Sequence, residues 1–248
     1  MQDVITMSRY IYETNISYAD VGPDHYLSYT GLLRLLQETA AAASDLCGYG
    51  IKDIPTKHVH WILTGWHVEL LGRPAWNTPV RIETWPRPFD GFASDREFLV
   101  WSADQLIARG TSRWFLVSAL TGRITRVTDE IAAAYPIEDI ALFDRPIASN
   151  GKPIADAPVT FSTVVGRRDI DTNGHVNNLH YLAYAIEALP QQVYEALPNN
   201  LEISYRKQIL LGTPIQCLYA MTEDGRHQVE IRSESDGKTV HHAYIWFY

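Results

Sequence analysis

Residues 169–178 read Asp-Ile-Asp-Thr-Asn-Gly-His-Val-Asn-Asn, and the rest of the chain is best interpreted outward from this stretch. It follows residues 158–165, which are rich in β-forming side chains, and leads into residues 176–189, whose apolar positions recur at helical spacing. The first amides of a helix lack intrahelical partners and carry partial positive charge. Polar side chains gathered at such a helix start can act on a carbonyl group, because those amides can stabilise its oxygen.

Three side chains of this stretch are the candidate catalytic groups. Asp171 can activate water or attack directly, whereas Asn173 and His175 can donate hydrogen bonds or move protons. Other interpretations stay open at this point. The run is also ordinary turn chemistry, and His175 alone is compatible with a structural role. The acidic and amide positions match the start of a calcium-binding EF-hand loop, but that loop ends on Glu where this chain has His180.

Strand patterns follow this helix pattern in the second half of the chain. The helix pattern ends before Pro190. The predicted strands cover residues 201–211, 214–222, 227–233 and 239–247. The dipeptides Asp224-Gly225 and Asp236-Gly237 are typical of hairpin turns, so we expect an antiparallel sheet.

The first half of the chain has the same order of elements. A strand over residues 9–17 leads through an acidic loop, residues 20–24, to a helix over residues 29–46 that Ser28 can cap. The apolar side chains of this helix form one stripe, made of Leu32, Leu33, Leu35, Leu36, Ala40 and Ala43. Strand patterns then cover residues 58–71, 78–85, 94–102 and 106–119.

This repetition predicts an α+β protein in which each half is a long helix with an antiparallel sheet, rather than an alternating βαβ fold. Short echoes support a duplication: residues 13–20 resemble residues 162–169, and residues 70–80 resemble residues 210–215. We expect an N-terminal unit at residues 1–131, a connector with several prolines at residues 132–157 and a C-terminal unit at residues 158–248.

Composition excludes several classes of protein. The 248 residues are 46% hydrophobic and 20% charged, which suits a chain with a full core. A net charge of −8 argues against a general nucleic-acid binder. No apolar stretch approaches the roughly 20 residues of a membrane span, and no signal-peptide pattern opens the chain. Cys47 and Cys217 form no CxxC motif, so we expect reduced thiols and a soluble, cytoplasmic protein.

We expect neither a metal nor a cofactor. His58 and His60 have same-face spacing on a predicted strand, but the sequence offers no evident third ligand. Cys217 has no histidine close to it in sequence, so we interpret it as a buried structural thiol.

The run from Asp171 to Asn178, followed by Leu179-His180-Tyr181, resembles the Asp-x-Asn-x-His-Val-Asn-Asn motif of the acyl-acyl carrier protein thioesterases. In that family the motif leads into the long helix of the second hot-dog unit. Residues 20–38 resemble the family's first hot-dog helix, and residues 61–69 resemble its first long strand. The resemblance covers nearly the full length and implies a tandem, or double, hot-dog fold.

The resemblance also implies a reaction, the hydrolysis of the thioester that joins a fatty acyl chain to a carrier protein. Carried over by position, Asp171 is the base or nucleophile, and Asn173 and His175 polarise the thioester and position water. Family members usually carry Glu after a Tyr-Arg-basic run, and plant members carry a following Cys. Here Gln208 and Ile209 stand at those positions, which limits Gln208 to hydrogen bonding with water or with Asn173.

The partner implied by the resemblance is an acyl carrier protein, which is anionic. Arg167 and Arg168, directly before the loop, are the candidate docking residues, and Arg206-Lys207 adds positive charge nearby in sequence. We also assign substrate binding to Asn177 and Asn178, the last two residues of the motif.

The acyl chain needs an apolar slot, which we expect between the first sheet and its helix, with Trp61 in its wall. Ordinary core packing is the alternative for Trp61. Two fused units allow a homodimer without requiring one. Hydrolysis of acyl-coenzyme A and a non-catalytic acyl-binding or acyl-sensing role remain open as functions, whereas the motif does not favour a hot-dog dehydratase.

Overall fold

Two similar sets of strands and helices follow one another along the chain, as the repeated sequence pattern predicts. The computed structural model of the protein describes residues 9–147, 151–155 and 157–248. The chain divides into two compact units: the first holds Met1–Thr64 with Leu70–Pro146, and the second holds Gly65–Glu69 with Ile147–Tyr248. Positions 148–150 and 156 of the predicted connector lie outside the described residues.

The first unit combines a sheet with one long helix. Its strands are β1 (Tyr10–Asn15), β2 (Val59–Leu70), β3 (Pro79–Pro86), β4 (Ala93–Ser102) and β5 (Gln105–Ser118), and its helices are α1 (Tyr29–Leu46), α2 (Ile54–Lys57) and α3 (Asp129–Ala134). The strand order is β1-β3-β4-β5-β2, and the pairs from β1 to β5 are antiparallel. Within β2, the segment Gly65–Glu69 belongs to the second unit.

Helix α1 begins and ends where the sequence predicts. Ser28 caps it, since its Oγ accepts a hydrogen bond from the amide of Gly31 at 3.0 Å. The apolar stripe is buried, and Leu32, Leu33 and Leu36 are inaccessible to solvent. Burial of each leucine stabilises the fold by roughly 1.5–3 kcal/mol, so the stripe holds α1 in the core of the unit.

The second unit repeats this plan. Its strands are β6 (Val159–Val164), β7 (Asn200–Tyr205), β8 (Pro214–Met221), β9 (His227–Ser235) and β10 (Lys238–Phe247), and its helices are α4 (Asn178–Glu187) and α5 (Gln191–Ala196). The strand order is β7-β10-β9-β8-β6, and Gly65–Glu69 pairs antiparallel with β7. Helix α4 packs against β9 and β10. Each unit has the long helix and antiparallel sheet of a hot-dog unit, so the predicted tandem hot-dog, α+β fold is confirmed.

The end of β7 and the start of α4 differ from the prediction, and two short helices are additional. Strand β7 ends at Tyr205, because the amides of Arg206 and Lys207 both donate to the carbonyl of His242 at a bulge in β10. Helix α4 begins at Asn178, later than predicted, because Val176 pairs with Ile170 in an isolated bridge. The short helices α2 and α5 were not predicted, since neither is long enough to show a helical period.

One of the two sequence echoes has a different register in the structure. In the first unit the amide of Asn77 donates to the carbonyl of Ile16, and the amide of Ile16 donates to the carbonyl of Thr78. In the second unit the amide of Gly212 donates to the carbonyl of Val165, and the amide of Val165 donates to the carbonyl of Thr213, at 3.0 Å each. Thr78 therefore corresponds to Thr213, as predicted. The predicted match of residues 70–72 with residues 210–212 is wrong, because Asn77 makes the hydrogen bond that Gly212 makes. The loops at residues 71–78 and 206–213 have the same length, so residues 75–77 correspond to residues 210–212.

Residues that follow α3 lie against the strands of the first unit. The amide of Glu138 donates to the carbonyl of Pro86 at 3.1 Å, and the indole of Trp85 donates to the carbonyl of Ile140 at 3.1 Å. The amide of Leu142 then donates to the buried carboxylate of Glu97 at 3.4 Å. The first part of the predicted connector thus packs as part of the first unit.

Glu97 makes the stability of the fold depend on pH. Burial raises the pKa of Glu97 to about 7, although the amide of Leu142 and the hydroxyl of Thr111 oppose this shift. A glutamate in an unfolded chain titrates near about 4.3. Between these values the folded protein keeps a proton that the unfolded chain has released, so the free energy of unfolding falls as pH rises through this window.

We predict that wild-type protein loses roughly 1–3 kcal/mol of stability between pH 5 and pH 8 through this group, and that Glu97→Gln abolishes that loss. Urea unfolding at both pH values measures the difference. Glu13→Gln, at an exposed carboxylate of β1, is the control and should keep the wild-type slope. An unchanged slope in Glu97→Gln would contradict the assignment.

Candidate active site

The loop at residues 170–176 is closed at its base by backbone hydrogen bonds. The carbonyl of Asp169 accepts from the amide of Asn177 at 2.8 Å, and Ile170 forms a bridge with Val176. The amide of Val176 also donates to the carbonyl of Ile209 at 2.9 Å. The loop therefore has a fixed position between the end of β6 and the start of α4.

Asp171 and His175 face each other across a tight turn within this loop. The amide of Asp171 donates to the carbonyl of His175 at 2.8 Å, and the amide of Gly174 donates to the carbonyl of Asp171 at 3.1 Å. Gly174 has a φ of +80°, which favours glycine. The Asn-Gly pair that reads as ordinary turn chemistry is thus the element that brings the two candidate catalytic residues together.

The carboxylate of Asp171 is held by Asn173. Its Oδ1 accepts from the amide of Asn173 at 2.8 Å, and its Oδ2 lies 3.4 Å from the side-chain Nδ2 of the same residue. Asp171 and His175 are partly buried and Asn173 is exposed. The carboxylate is thereby oriented while Oδ2 keeps acceptor capacity for a water molecule or a substrate.

The two asparagines at the end of the motif have local contacts at the start of α4. Asn177 is the N-cap, and its Oδ1 accepts from the amide of Leu179 at 2.9 Å. The carbonyl of Asn178 accepts from the hydroxyl of Tyr205 at 3.1 Å. The amide of Leu179 is therefore used by the cap, so the oxyanion-stabilising role that the sequence suggested for the first helix amides does not fall on that group.

Gln208 lies in the loop after β7, and its backbone neighbours connect it to the candidate site. The next residue, Ile209, accepts the amide of Val176, while the carbonyl of Lys207 accepts from the hydroxyl of Tyr181 at 3.3 Å. The side chain of Gln208 is exposed. Because Ile209 is hydrogen-bonded to Val176, the backbone at Gln208 lies close to the 170–176 loop. Gln208 itself is on a loop rather than on the strand that the sequence predicts.

Sequence reasoning missed His242, which is hydrogen-bonded to the loop after β7 through both its side chain and its carbonyl. His242 is buried; its Nδ1 lies 3.1 Å from the carbonyl of Lys207 and its Nε2 lies 2.8 Å from the hydroxyl of Ser233. Burial lowers the pKa of His242, despite the opposing hydrogen bond to Lys207. A histidine at an otherwise apolar stretch of β10 was the available sequence signal.

Asp169 is a buried carboxylate directly before the loop. Its Oδ2 accepts from the amide of Gly166 at 2.8 Å, and its Oδ1 lies 3.5 Å from the Nε of Arg168 and 3.6 Å from the Nδ1 of His180. Burial raises the pKa of Asp169. The hydrogen bond from the amide of Gly166, the neighbouring hydroxyl of Tyr184, and then the charges of His180 and Arg168 bring this pKa below its ordinary value. Asp169 is therefore ionised within a polar setting at the base of the loop.

The first unit contains a loop of the same construction at residues 21–27. The amide of Gly22 donates to the carbonyl of Tyr26 and the amide of His25 donates to the carbonyl of Gly22, both at 2.9 Å. His25 has a φ of +69°, in the place of Gly174. The amide of Leu27 donates to Pro74 at 2.9 Å, as Val176 does to Ile209.

This correspondence assigns an equivalent to each candidate catalytic residue. Gly22 takes the place of Asp171, Asp24 that of Asn173, Tyr26 that of His175 and Arg73 that of Gln208. The guanidinium of Arg73 contacts both carboxylate oxygens of Asp24, at 2.6 and 3.2 Å, and the carbonyl of Leu27 at 2.7 Å. The loop of the first unit is thus held closed by an ion pair and lacks a carboxylate at the position of Asp171.

The remaining predicted binding residues lie in two places. Arg167 and Arg168 are exposed on a 3-10 turn whose third residue is the buried Asp169. Trp61 lies in the first unit, where its indole donates to the hydroxyl of Tyr135 at 2.8 Å and its ring stacks on Phe89. Trp61 is therefore part of an aromatic cluster, and its predicted role in an acyl slot stays a prediction.

The cysteine and histidine positions have structural surroundings. Cys217 is a buried free thiol, and burial raises its pKa to about 12. His58 ends the short helix α2 with a φ of +56°, so it lies outside the strand that was predicted to pair it with His60. Within the described part of the chain, no three or more His, Cys, Asp or Glu residues gather in a way that could hold a metal ion.

Family models match both halves of the chain. Residues 7–135 match the acyl-ACP thioesterase N-terminal domain, and residues 156–247 match the acyl-ACP thioesterase C-terminal domain. The second match includes the whole 170–176 loop, Gln208 and His242. Across the residues that the structure describes, no helix is long and apolar enough to cross a membrane.

Two plant proteins are similar in sequence to most of the chain. The chain is 28% identical over 207 residues to the chloroplastic oleoyl-acyl carrier protein thioesterase 2 of Arabidopsis thaliana. This alignment covers 76% of this chain and 56% of that protein. It is 25% identical over 216 residues to the chloroplastic dodecanoyl-[acyl-carrier-protein] hydrolase of Cinnamomum camphora, with coverage of 80% and 56%. The chain therefore spans a little over half the length of these relatives.

Solved structures show the same fold over almost the full chain. An acyl-ACP thioesterase from Bacteroides thetaiotaomicron superimposes with a TM-score of 0.85 at 18% identity, covering 97% of each chain. The 12:0-ACP thioesterase from Umbellularia californica superimposes with a TM-score of 0.82 at 21% identity, covering 97% of this chain and 96% of that one. With both family models matched along the sequence, the chain belongs to the acyl-ACP thioesterase family.

Proposed function

We propose that this protein hydrolyses the thioester of a fatty acyl-acyl carrier protein, releasing a free fatty acid and the carrier. The observation that carries the proposal is the 170–176 loop, which orients the Asp171 carboxylate through Asn173 and sets His175 across the same turn. Membership of the family supports the choice of reaction. Both cysteines are free thiols, which suits a cytoplasmic enzyme of fatty acid biosynthesis.

In the proposed mechanism Asp171 acts as general base: it takes a proton from water, the water oxygen attacks the thioester carbon, and the C–S bond breaks to release the carrier thiolate, which takes up the proton. Alternatively, the Asp171 carboxylate attacks that carbon, the carrier thiolate leaves, and water then hydrolyses the acyl anhydride to fatty acid and free Asp171. The side chains of Asn173 and His175 polarise the thioester carbonyl, because the amide of Leu179 is already bound by the helix cap. Gln208 is neutral and can donate or accept a hydrogen bond but cannot exchange a proton as glutamate does. Removal of the proton from water therefore depends on one carboxylate, that of Asp171, whereas polarisation of the carbonyl depends on Asn173 and His175.

Replacement of Asp171 tests the mechanism directly. Asp171→Asn keeps the shape of the side chain but removes the base, so kcat for acyl-carrier thioester should fall by about 10²–10⁴-fold. Release of free thiol, measured over a range of acyl lengths, gives the rate. Asp24→Asn, in the corresponding loop of the first unit, is the matched control and should keep the wild-type kcat. Unaltered turnover in Asp171→Asn would remove this residue from the mechanism.

Gln208 should contribute through hydrogen bonding alone. Its equivalent in the first unit, Arg73, reaches the side chain at the position of Asn173, so we expect Gln208 to contact Asn173 when substrate is bound. Gln208→Ala should lower kcat roughly five- to tenfold, the size of one hydrogen bond. Arg73→Ala should instead lower the melting temperature with little change in kcat. A kcat unchanged in Gln208→Ala would exclude this role.

The carrier protein is the partner that we propose for the exposed turn at Arg167 and Arg168. Both side chains are exposed next to the loop, and positive charge attracts an anionic carrier that an acidic enzyme would otherwise repel. Asn177 and Asn178 stay substrate-binding proposals through their backbone at the start of α4, and Trp61 through the aromatic cluster of the first unit. The two fused units also allow a homodimer.

Charge reversal at this turn should raise KM more than it lowers kcat. We combine Arg167→Glu with Arg168→Gln, since a carboxylate at position 168 would lie beside Asp169. KM for acyl-carrier thioester at low salt should rise about tenfold, and the difference should shrink at high salt. Arg123→Glu with Arg126→Gln, at exposed sites of the first unit, is the control. An unchanged KM at low salt would contradict the docking assignment.

The same assays separate the alternative functions. Comparison of acyl-carrier with acyl-coenzyme A as donor decides which thioester is used. A non-catalytic acyl-binding protein, which Gln208 in place of the family's glutamate would favour, predicts tight acyl binding without release of free thiol.

A further inference from the structure

His180 stands at a position where its charge should be unfavourable unless it has a partner. It is the third residue of α4, where the helix dipole disfavours a cation. Its Nδ1 faces the Oδ1 of Asp169 at 3.6 Å, and its ring lies against that of Tyr184 with centroids 6.3 Å apart. The carboxylate is almost fully buried, with 6% of its side chain exposed, whereas 35% of the imidazole is exposed.

Asp169 is hydrogen-bonded to the backbone on both sides of the 170–176 loop. Its carboxylate fixes the amide of Gly166 on the entering side, and its carbonyl fixes the amide of Asn177 on the leaving side. Asp171 lies on the same short turn, directly after the Ile170 bridge. A movement of Asp169 would therefore move the Asp171 carboxylate relative to the start of α4.

In the first unit the corresponding aspartate is paired with a side chain whose charge is permanent. Asp20 corresponds to Asp169: its carboxylate accepts the amide of Ser17 at 2.9 Å and its carbonyl accepts the amide of Ser28 at 2.9 Å. The guanidinium of Arg34 binds both carboxylate oxygens of Asp20, at 2.5 Å each. Arginine keeps its charge at all physiological pH values, so this loop has a constant counter-charge.

In the second unit the counter-charge is divided between two weaker partners. Arg168 approaches Asp169 at 3.5 Å, but 91% of its side chain is exposed, so solvent screens this ion pair. His180 is the other cation, and imidazole is the side chain that changes charge between about pH 5 and pH 8. No arginine binds Asp169 through two contacts in the described residues, in contrast to Asp20.

We propose that His180 is a positioning residue for the catalytic loop, which in its protonated state holds the Asp169 carboxylate and thereby fixes Asp171 at the start of α4. The catalytic consequence of this proposal rests on the proposed thioesterase function, whereas the contact between His180 and Asp169 does not. The ion pair exists only while His180 is protonated, because a neutral imidazole carries no charge to oppose that of Asp169.

The kinetic test compares His180→Lys with wild type across pH. Lysine keeps its charge up to high pH, so the ratio of kcat for His180→Lys to that of wild type should be near one at about pH 5.5. At about pH 8 the ratio should rise roughly two- to fivefold, the size expected of one partly exposed ion pair. His180→Gln, without charge, should lose the same factor at pH 5.5. His25→Lys adds the same charge to the corresponding loop of the first unit and should leave the profile unchanged.

A spectroscopic test does not depend on turnover. The amide of Gly166 donates to Asp169, so its ¹H–¹⁵N resonance should shift between pH 5 and pH 8 in wild type and stay constant in His180→Lys. Parallel pH–rate profiles for wild type and His180→Lys, or a Gly166 resonance that titrates equally in both, would overturn the proposal. Absence of thioester hydrolysis with a His180-dependent Gly166 resonance would instead reject the proposed function and keep the positioning role.

Discussion

The fold of each unit depends on one buried aspartate that closes a loop at both ends. Its carboxylate accepts an amide from the end of a strand, and its carbonyl accepts the amide of the residue that caps the long helix. A buried carboxylate without such partners would be costly, so these hydrogen bonds stabilise the loop and fix it at the same time. Asp20 and Asp169 therefore set where each helix begins relative to its sheet.

The two copies of this arrangement have diverged in charge rather than in backbone. In the first unit, arginines neutralise the carboxylates: Arg34 binds Asp20 and Arg73 binds Asp24. In the second unit Asn173 and Gln208 take the places of Asp24 and Arg73. Asp169 faces Arg168 and His180 there, and no arginine among the described residues binds it through two contacts. A loop locked by arginine has no carboxylate oriented to act on a substrate, whereas the second loop presents Asp171. Of the two corresponding loops, one is therefore structural and the other is the candidate active site.

The sequence predicts those features that local chemistry determines. Helix α1 was predicted correctly because Ser28 and a continuous apolar stripe specify its start and its buried face. Features that depend on distant partners were not predictable in this way. Strand β7 ends at Tyr205 because a bulge in β10 presents the carbonyl of His242 to two amides, and nothing within residues 201–211 encodes that contact. The register of the second sequence echo was misjudged for the same reason.

In the candidate site, too, features that local chemistry determines were predictable, whereas features that depend on distant partners were not. Asp171, Asn173 and His175 could be named as candidates from their residue types and from the resemblance of residues 171–178 to the family motif. The turn with Gly174 at positive φ places them on one short loop. The cap role of Asn177 and the support from His242 depend on α4 and β10, so they became visible only in the fold. Gln208 adds a physical consequence. A second carboxylate near Asp171 would compete for the same proton, whereas an amide at position 208 leaves Asp171 as the only carboxylate among the residues of the 170–176 loop and position 208. The chemistry of the site then depends on how firmly one carboxylate is held, and its orientation begins at Asp169, two residues earlier in the chain.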